Sequence, residues 1–436
     1  MFSFKKIIEY GLYLIVFLFP IQTRLFLRLG ETEYSTISLY GIDILIFIIL
    51  LFHIYIIVKK FASFDFPTPT IWWLIAGFDL FIFISIFFAP DKILALYRYG
   101  IFLLGVALFW LIVSAHYNRI KLAWSFILGL SFQACLSIWQ FFSQVSFASK
   151  WLGMAQHNAG KLGVSVIETL DGERWLRAYG GFDHPNILGG AMAAGLLVLI
   201  SLIIAEIRNK KQALSKFSIF NFQFSILFLT IYSLLFTALL FSFSRSAWIG
   251  FAFGVFILFL FYLIEKKYLK LKALLKFILL GAILVFTFYS IYPGLFQVRI
   301  SGEARLEIKS NQERIVSLQE SKEIIRNNLL FGTGIGNYTL TLAEKYPNRS
   351  GFEYQPPHNV FLLVLSEIGI LGFLFFVFCL LFIFTSNYQK RNYANIAILF
   401  SIVFMMSLDH WWWSLHFGVL FFWFILGLLY NKNTNN

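Results

Sequence analysis

Long apolar runs separated by short polar connections dominate the chain. Runs long enough to cross a bilayer fall at about 8–26, 38–58, 70–89, 93–115, 122–144, 187–207, 220–242, 246–264, 273–292, 358–384, 393–408 and 412–430, because about 20 apolar helical residues match a hydrocarbon core of about 30 Å. The pattern predicts an all-α polytopic membrane protein of about twelve transmembrane helices, a single integral membrane domain over residues 1–436. The first run follows Lys5 and Lys6 as a signal peptide would, yet no small-residue cleavage site follows, so the run is expected to be retained. Two connections are long, at about 145–186 and about 293–357. Function is expected to concentrate there.

Composition agrees with this class, since 59% hydrophobic and 13% charged residues lie far outside the range of soluble domains. Charge sets the orientation. Seventeen lysines and arginines, from Lys5 to Lys432, fall on the side that would hold both termini, against Arg24, Arg28, Lys92, Arg98 and Arg245 in or beside the short connections of the other side. By the positive-inside rule both ends are cytoplasmic and both long loops face outward. The net charge of +13 is then anchoring beside headgroups, so no nucleic-acid partner is implied. Cys135 and Cys379 lie inside expected spans, which argues against a disulfide. The polar tail Asn431 to Asn436 reads as a frayed terminus.

The second long loop carries eight basic residues against seven glutamates, so an anion site there depends on placement rather than net field. Ile315, Leu318, Lys322 and Ile325 fall at helical spacing. They predict an amphipathic helix over about 312–328, lying on the membrane surface or on the bundle. Gly332-Thr333-Gly334-Ile335-Gly336 then breaks it. The glycines suit a tight turn or, alternatively, backbone amides presented to a phosphate.

Four places could carry chemistry. Ser244-Arg245-Ser246-Ala247 occupies a very short outward connection, where an arginine is either a headgroup anchor or a guanidinium fork for a phosphate. Arg98, one or two turns into the fourth span, could pair with Asp43 or Asp79 or meet an anion. The first loop ends in Arg177 to Asn186, with His184 and Asn186 at a helix start suited to capping or to chemistry. The helix that follows is built from Gly189, Gly190, Ala191, Ala193, Ala194 and Gly195, so it either packs closely or leaves a groove for a lipid chain.

The fourth place is His358-Asn359, behind Pro356 and Pro357 and ahead of the run Val360 to Phe384. Proline begins helices readily, so the histidine is expected in the first turn, with Gly369 about three turns deeper on the same face where it would let another helix approach. His358 could cap its helix or act as a base. Glu367 lies about half a turn round and is expected to pair inside the bundle. No HExxH, CxxC or carboxylate triplet accompanies the histidines, so neither a metal nor a cofactor is expected.

On these residues the chain resembles the O-antigen ligase and Wzy polymerase superfamily of bacterial envelope glycosyltransferases. The resemblance covers most of the chain and rests on His358-Asn359 with Gly369, on Arg314 ahead of Leu329 to Gly336, on Ser244 to Ala247, and on Gly181 to Asn186. One departure is that Asn327-Asn328 fill the stretch where the family usually has proline. The resemblance implies a GT-C-like fold in the bacterial inner membrane and inverting, metal-independent transfer of a glycan from undecaprenyl diphosphate to an acceptor hydroxyl, the lipid A-core in a ligase, on the periplasmic side. An imidazole titrates near neutrality and suits a base for the acceptor, while arginines can stabilise a diphosphate leaving group. His358 is thus expected as base, with Arg245 and Arg314 on the diphosphate. Asn359, Arg98, Arg177, His184 and Asn186 are candidates for binding donor or acceptor. A Wzy-type polymerase or a protein O-glycosyltransferase shares this core, and a twelve-span polysaccharide or lipid flippase is the alternative from another class.

Overall fold

A computed structural model describes residues 4–30, 32–59, 69–210 and 218–430. Lys60, Lys211, Lys216, Lys432 and the tail Asn431 to Asn436 lie outside the described residues. The first half holds α1 (Phe4–Leu18), α2 (Gly41–Lys59), α3 (Pro69–Ser85), α4 (Lys92–Ser114), α5 (Arg119–Ser143), α6 (Pro185–Lys210) and α7 (Ser218–Phe241). The second holds α8 (Arg245–Ile264), α9 (Tyr268–Ile291), α10 (Pro293–Ser301), α11 (Arg305–Asn327), α12 (Tyr338–Lys345), α13 (Val360–Gln389), α14 (Tyr393–Met406), α15 (Trp411–Ser414) and α16 (His416–Leu429).

Among the described residues eight helices are long and apolar enough to cross a membrane: α2, α3, α4, α5, α6, α8, α9 and α13. The other expected spans fall on shorter pieces, α1 of 15 residues, Ile226–Phe241 of α7, α14 and α16. The last is short because Leu415 adopts an extended backbone and splits the run into α15 and α16. The fold is helical with small additions that hydropathy does not reveal. Three antiparallel hairpins, β1 (Arg24–Arg28) with β2 (Ile37–Tyr40), β3 (Val145–Ser146) with β4 (His157–Asn158), and β5 (Val166–Glu168) with β6 (Arg174–Leu176), decorate one end.

The centre of the bundle is α6, whose apolar stretch is 83% buried against 17% for peripheral α9. Its small residues allow this. A Cβ at Gly189 would lie 2.7 Å from Ser242 Oγ, one at Gly190 2.5 Å from Trp411, and one at Gly195 2.4 Å from Leu130. Close packing therefore decides against a lipid groove on that stripe. Around this centre α16 packs on α4, α14 on α8 and α13 on α3.

The connections expected to face outward are tied together at one end of the bundle. Arg28 meets Asp91 at 2.6 Å, the Asp91 N–H donates to Asn337 Oδ1 at 2.9 Å, and Arg305 forks onto Glu168 at 2.8 and 3.0 Å. At the opposite end the Asn118 N–H donates to Tyr13 Oη and Asn387 Nδ2 donates to the Leu429 carbonyl.

One expected boundary shifts and one expected geometry gives way here. Helix α11 begins at Arg305, seven residues before the expected start, and turns its polar side inward. Glu307, Ser317, Glu320 and Ser321 are buried while Ile308, Ile315, Val316 and Leu318 are exposed. Ion pairs with the loops, such as Arg349 to Glu320 at 2.6 Å, reward that orientation. The second is α13, which is not continuous: Gly369 has φ 71° and ψ −178°. The glycine-rich turn docks at this break, Thr333 and Gly334 N–H groups donating to the Ser366 and Glu367 carbonyls, both at 2.9 Å, and the Ile370 N–H donating to the Leu329 carbonyl at 2.8 Å. What approaches Gly369 is thus a turn's backbone rather than another helix. With those amides committed, the turn serves as a joint and not as a phosphate cradle.

Candidate active site

Asn359, not His358, caps α13. Its Oδ1 accepts the Leu362 N–H at 3.0 Å and its Nδ2 donates to the Ser407 carbonyl at 3.0 Å. An amide oxygen one position before the helix satisfies an orphan amide better than an imidazole can. His358 therefore stands just outside the helix rather than in its first turn. The second Asn359 bond draws in the connection between α14 and α15, which delivers Asp409 and His410.

His358 Nδ1 lies 3.5 Å from Asp409 Oδ1, within ion-pair reach but long for a hydrogen bond, and its ring centroid is 5.0 Å from that of His410. The other Asp409 oxygen accepts from Asn186 Nδ2 at 2.7 Å. Asn186 Oδ1 in turn accepts from Arg177 at 2.6 Å, and Arg177 is fixed by the Ser242 carbonyl at 2.9 Å and Ser165 Oγ at 2.8 Å. The result is a chain, Arg177 to Asn186 to Asp409 to His358. Arg177 is buried with its donors engaged by protein, so it acts from behind the site. His184 Nδ1 accepts the Asn186 N–H at 3.1 Å, which is a turn geometry.

Burial alone would raise the Asp409 carboxyl, yet the imidazoles of His358, His410 and His184 around it outweigh burial and hold it well below its ordinary range. Burial, with Arg177 beside it, pushes His184 down to about 3; burial, with His358 beside it, does the same to His410. Asp409 therefore stays an anion.

Beside this chain lies a cluster of guanidinium groups. Ser244 Oγ accepts the Ala247 N–H as the cap of α8, which fixes Arg245 at the helix start. Arg245 contacts Glu307 Oε2 at 3.2 Å and donates to Asn311 Oδ1 at 3.1 Å. Buried Arg299 pairs with the other Glu307 oxygen and donates from Nε to the Phe243 carbonyl at 2.7 Å. Arg314, two turns along α11 from Glu307, interacts electrostatically with Asp409, Arg245 and Glu307, and its buried Nε has no hydrogen-bond partner. Burial lowers the Arg314 and Arg299 guanidiniums from their ordinary values, Arg299 to about 10. The ion pair with Glu307 replaces the headgroup-anchor reading of Arg245.

Arg98 makes neither of the pairings expected for it. It donates to the Ser414 carbonyl at 2.9 Å and the Tyr34 carbonyl at 2.6 Å, bracing the loop whose Ser414 Oγ meets His410 Nδ1 at 2.7 Å. Glu367 accepts from the Gly336 N–H at 2.9 Å and Trp413 Nε1 at 2.8 Å, joining the glycine turn to the same loop.

Sequence reasoning assigned no role to Asp409, His410, Glu307 or Arg299. Asp409-His410 had a signal, an acid and a histidine in a short outward connection between apolar runs, of the kind that drew notice to Arg245. With them His358 does have company for a cation: ligand atoms of His358, Asp409 and His410 lie within 4.8 Å of one another. The nearby guanidiniums oppose a cation there, and Asp409 Oδ1 already accepts the His410 N–H at 2.9 Å.

The Wzy_C family model, described as O-antigen ligase, matches residues 228–377. This stretch is similar to an O-antigen ligase domain. The match supports a likeness to the O-antigen ligase and Wzy superfamily over that part of the chain. The matched stretch contains Arg245, Arg299, Glu307, Arg314, His358 and Gly369, whereas Asn186, Asp409 and His410 come from outside it. Members of this family are ligases and polymerases of the glycosyltransferase kind, and the match together with the apolar helices supports a multi-pass membrane protein of enzymatic character. No curated protein matches the chain.

Proposed function

We propose that the protein transfers a glycan from undecaprenyl diphosphate to an acceptor hydroxyl at the outward face of the bacterial inner membrane, as an O-antigen ligase acting on a lipid A-core acceptor. His358 takes the proton of the acceptor hydroxyl as that oxygen attacks the anomeric carbon. The bond to the diphosphate breaks on the opposite side of that carbon, with inversion. Arg245 and Arg314 meet the charge that grows on the departing phosphate, where a low-dielectric setting strengthens their effect. Asp409, held by Asn186, keeps the imidazole oriented and stabilises its protonated form, the role a carboxylate plays beside a catalytic histidine.

The observation that carries this reading is the partly exposed His358 ring, backed by an anionic Asp409 and flanked by guanidiniums that outnumber the carboxylates near them. A buried excess of positive charge calls for an anionic ligand. A flippase has no need of a base so oriented. The polymerase reading uses the same groups with a second lipid-linked glycan as acceptor.

The test is reconstitution in proteoliposomes with a lipid-diphosphate glycan and lipid A-core, product being followed in excess chelator. Transfer is expected at an undiminished rate, since the leaving group is met by arginine. Loss of transfer in chelator with recovery on adding zinc would assign His358, Asp409 and His410 as metal ligands and sink the proposed base. Movement of the donor across the bilayer with no new glycosidic bond would favour a flippase.

A further inference from the structure

Glu307 is the feature this chemistry leaves unused. It is 4% exposed, and it lies among Arg245, Arg299 and Arg314 in the region proposed for the diphosphate. Its two oxygens are held unequally. Oε1 pairs with Arg299, which is itself anchored to the Phe243 carbonyl. Oε2 lies 3.2 Å from Arg245 yet completes no hydrogen bond, although it is buried. A buried carboxylate oxygen without a hydrogen bond is an unfavourable arrangement. Arg245 is the more accessible partner, its side chain 24% exposed against 8% for Arg299.

We infer that Glu307 is an internal anion that holds the diphosphate site in the donor-free protein, so that a diphosphate binds by taking Arg245 over from it. The inference rests on the proposed assignment of Arg245 to the diphosphate and adds how that site is kept before the donor arrives. A guanidinium facing hydrocarbon and headgroups without a counter-ion is costly and would capture any phosphate. A carboxylate attached through one ill-directed contact neutralises it while remaining displaceable. A diphosphate oxygen pair then offers the bidentate geometry that Oε2 lacks. The Oε1 to Arg299 pair stays, so the corner between α10 and α11 is not dismantled. After transfer Glu307 returns to Arg245 and helps expel the lipid diphosphate, which gives the arginine cluster turnover as well as affinity.

The experiment is calorimetric titration of the detergent-purified full chain with inorganic pyrophosphate at fixed ionic strength. Glu307→Gln removes the competing charge but keeps the size of the side chain, and is expected to bind pyrophosphate at least about tenfold more tightly than the unmodified protein, one unit charge at this range being worth more than that factor. Adding Arg245→Ala is expected to erase the gain. Should Glu307→Gln lose its fold, Glu307→Asp retains the charge while drawing it back from Arg245, and a tightening of severalfold is expected. Equal or weaker binding in whichever folded variant is measured would overturn the inference and leave Glu307 a purely structural counter-ion. Because pyrophosphate binding requires no glycan transfer, failure of the proposed reaction would appear separately, as absence of product with this order of affinities intact.

Discussion

Replacement of His358 by alanine is expected to lower glycan transfer by a factor of about 10²–10⁴ while leaving the protein folded, the usual contribution of a positioned general base. Folding survives because the ring supports nothing: Nδ1 has no hydrogen-bond partner and the helix is capped by Asn359. Asp409→Asn in the same assay should lose less, since the imidazole keeps its place but loses the anion that stabilises its protonated form. The two variants are to be compared by initial rates in proteoliposomes at saturating donor. Full activity in His358→Ala would eliminate it as base, and a loss in Asp409→Asn exceeding that in His358→Ala would make the aspartate, not the histidine, the group that matters most.

The other large effect lies at Gly369, away from the proposed chemistry. Its φ of 71° with ψ of −178° belongs to a region that only glycine populates, and a Cβ there would fall 2.1 Å from the Leu330 carbonyl oxygen. Neither the break nor the turn can yield, because three backbone hydrogen bonds cross between them. Gly369→Ala is therefore expected to destabilise by at least about 3 kcal/mol, combining strain with the forced separation of the joint. Thermal unfolding of the purified protein measures this directly. A variant with an unchanged midpoint would show that the docked turn contributes nothing to stability. Activity should fall with stability, because the same turn reaches Glu367 and through Trp413 the loop that carries Asp409.

Much of the architecture is legible in hydropathy because spans are set by the bilayer, a local rule that needs no tertiary knowledge. The eight long helices answer to it. The hairpins escape it, since a stretch such as Arg24 to Arg28 leaves its leucines exposed and carries no inward-outward alternation. The site is legible only in part for a related reason. His358, Arg245 and Arg314 stand out by position or motif. Glu307 and Arg299 look like two of fifteen charges in a nearly neutral loop until burial separates them from the rest. Asp409 and Asn186 are 223 residues apart in the chain, a pairing no local pattern reports. The inward face of α11 has the same origin: periodicity finds the stripe of isoleucines, but the ion pairs on the opposite side decide which stripe turns inward.

Glu307 and Arg314 are seven residues apart and so lie on one face of α11. Rolling the helix would withdraw both together, removing an acid and a base from the site and leaving its net charge as it was. The arrangement thus filters out motions of the whole element as a means of changing the field that a phosphate meets. Only a rotamer change, at Glu307 or at the more accessible Arg245, separates the two charges, and such a change is faster than the opening of a lid. The site can accordingly change its charge without changing its shape.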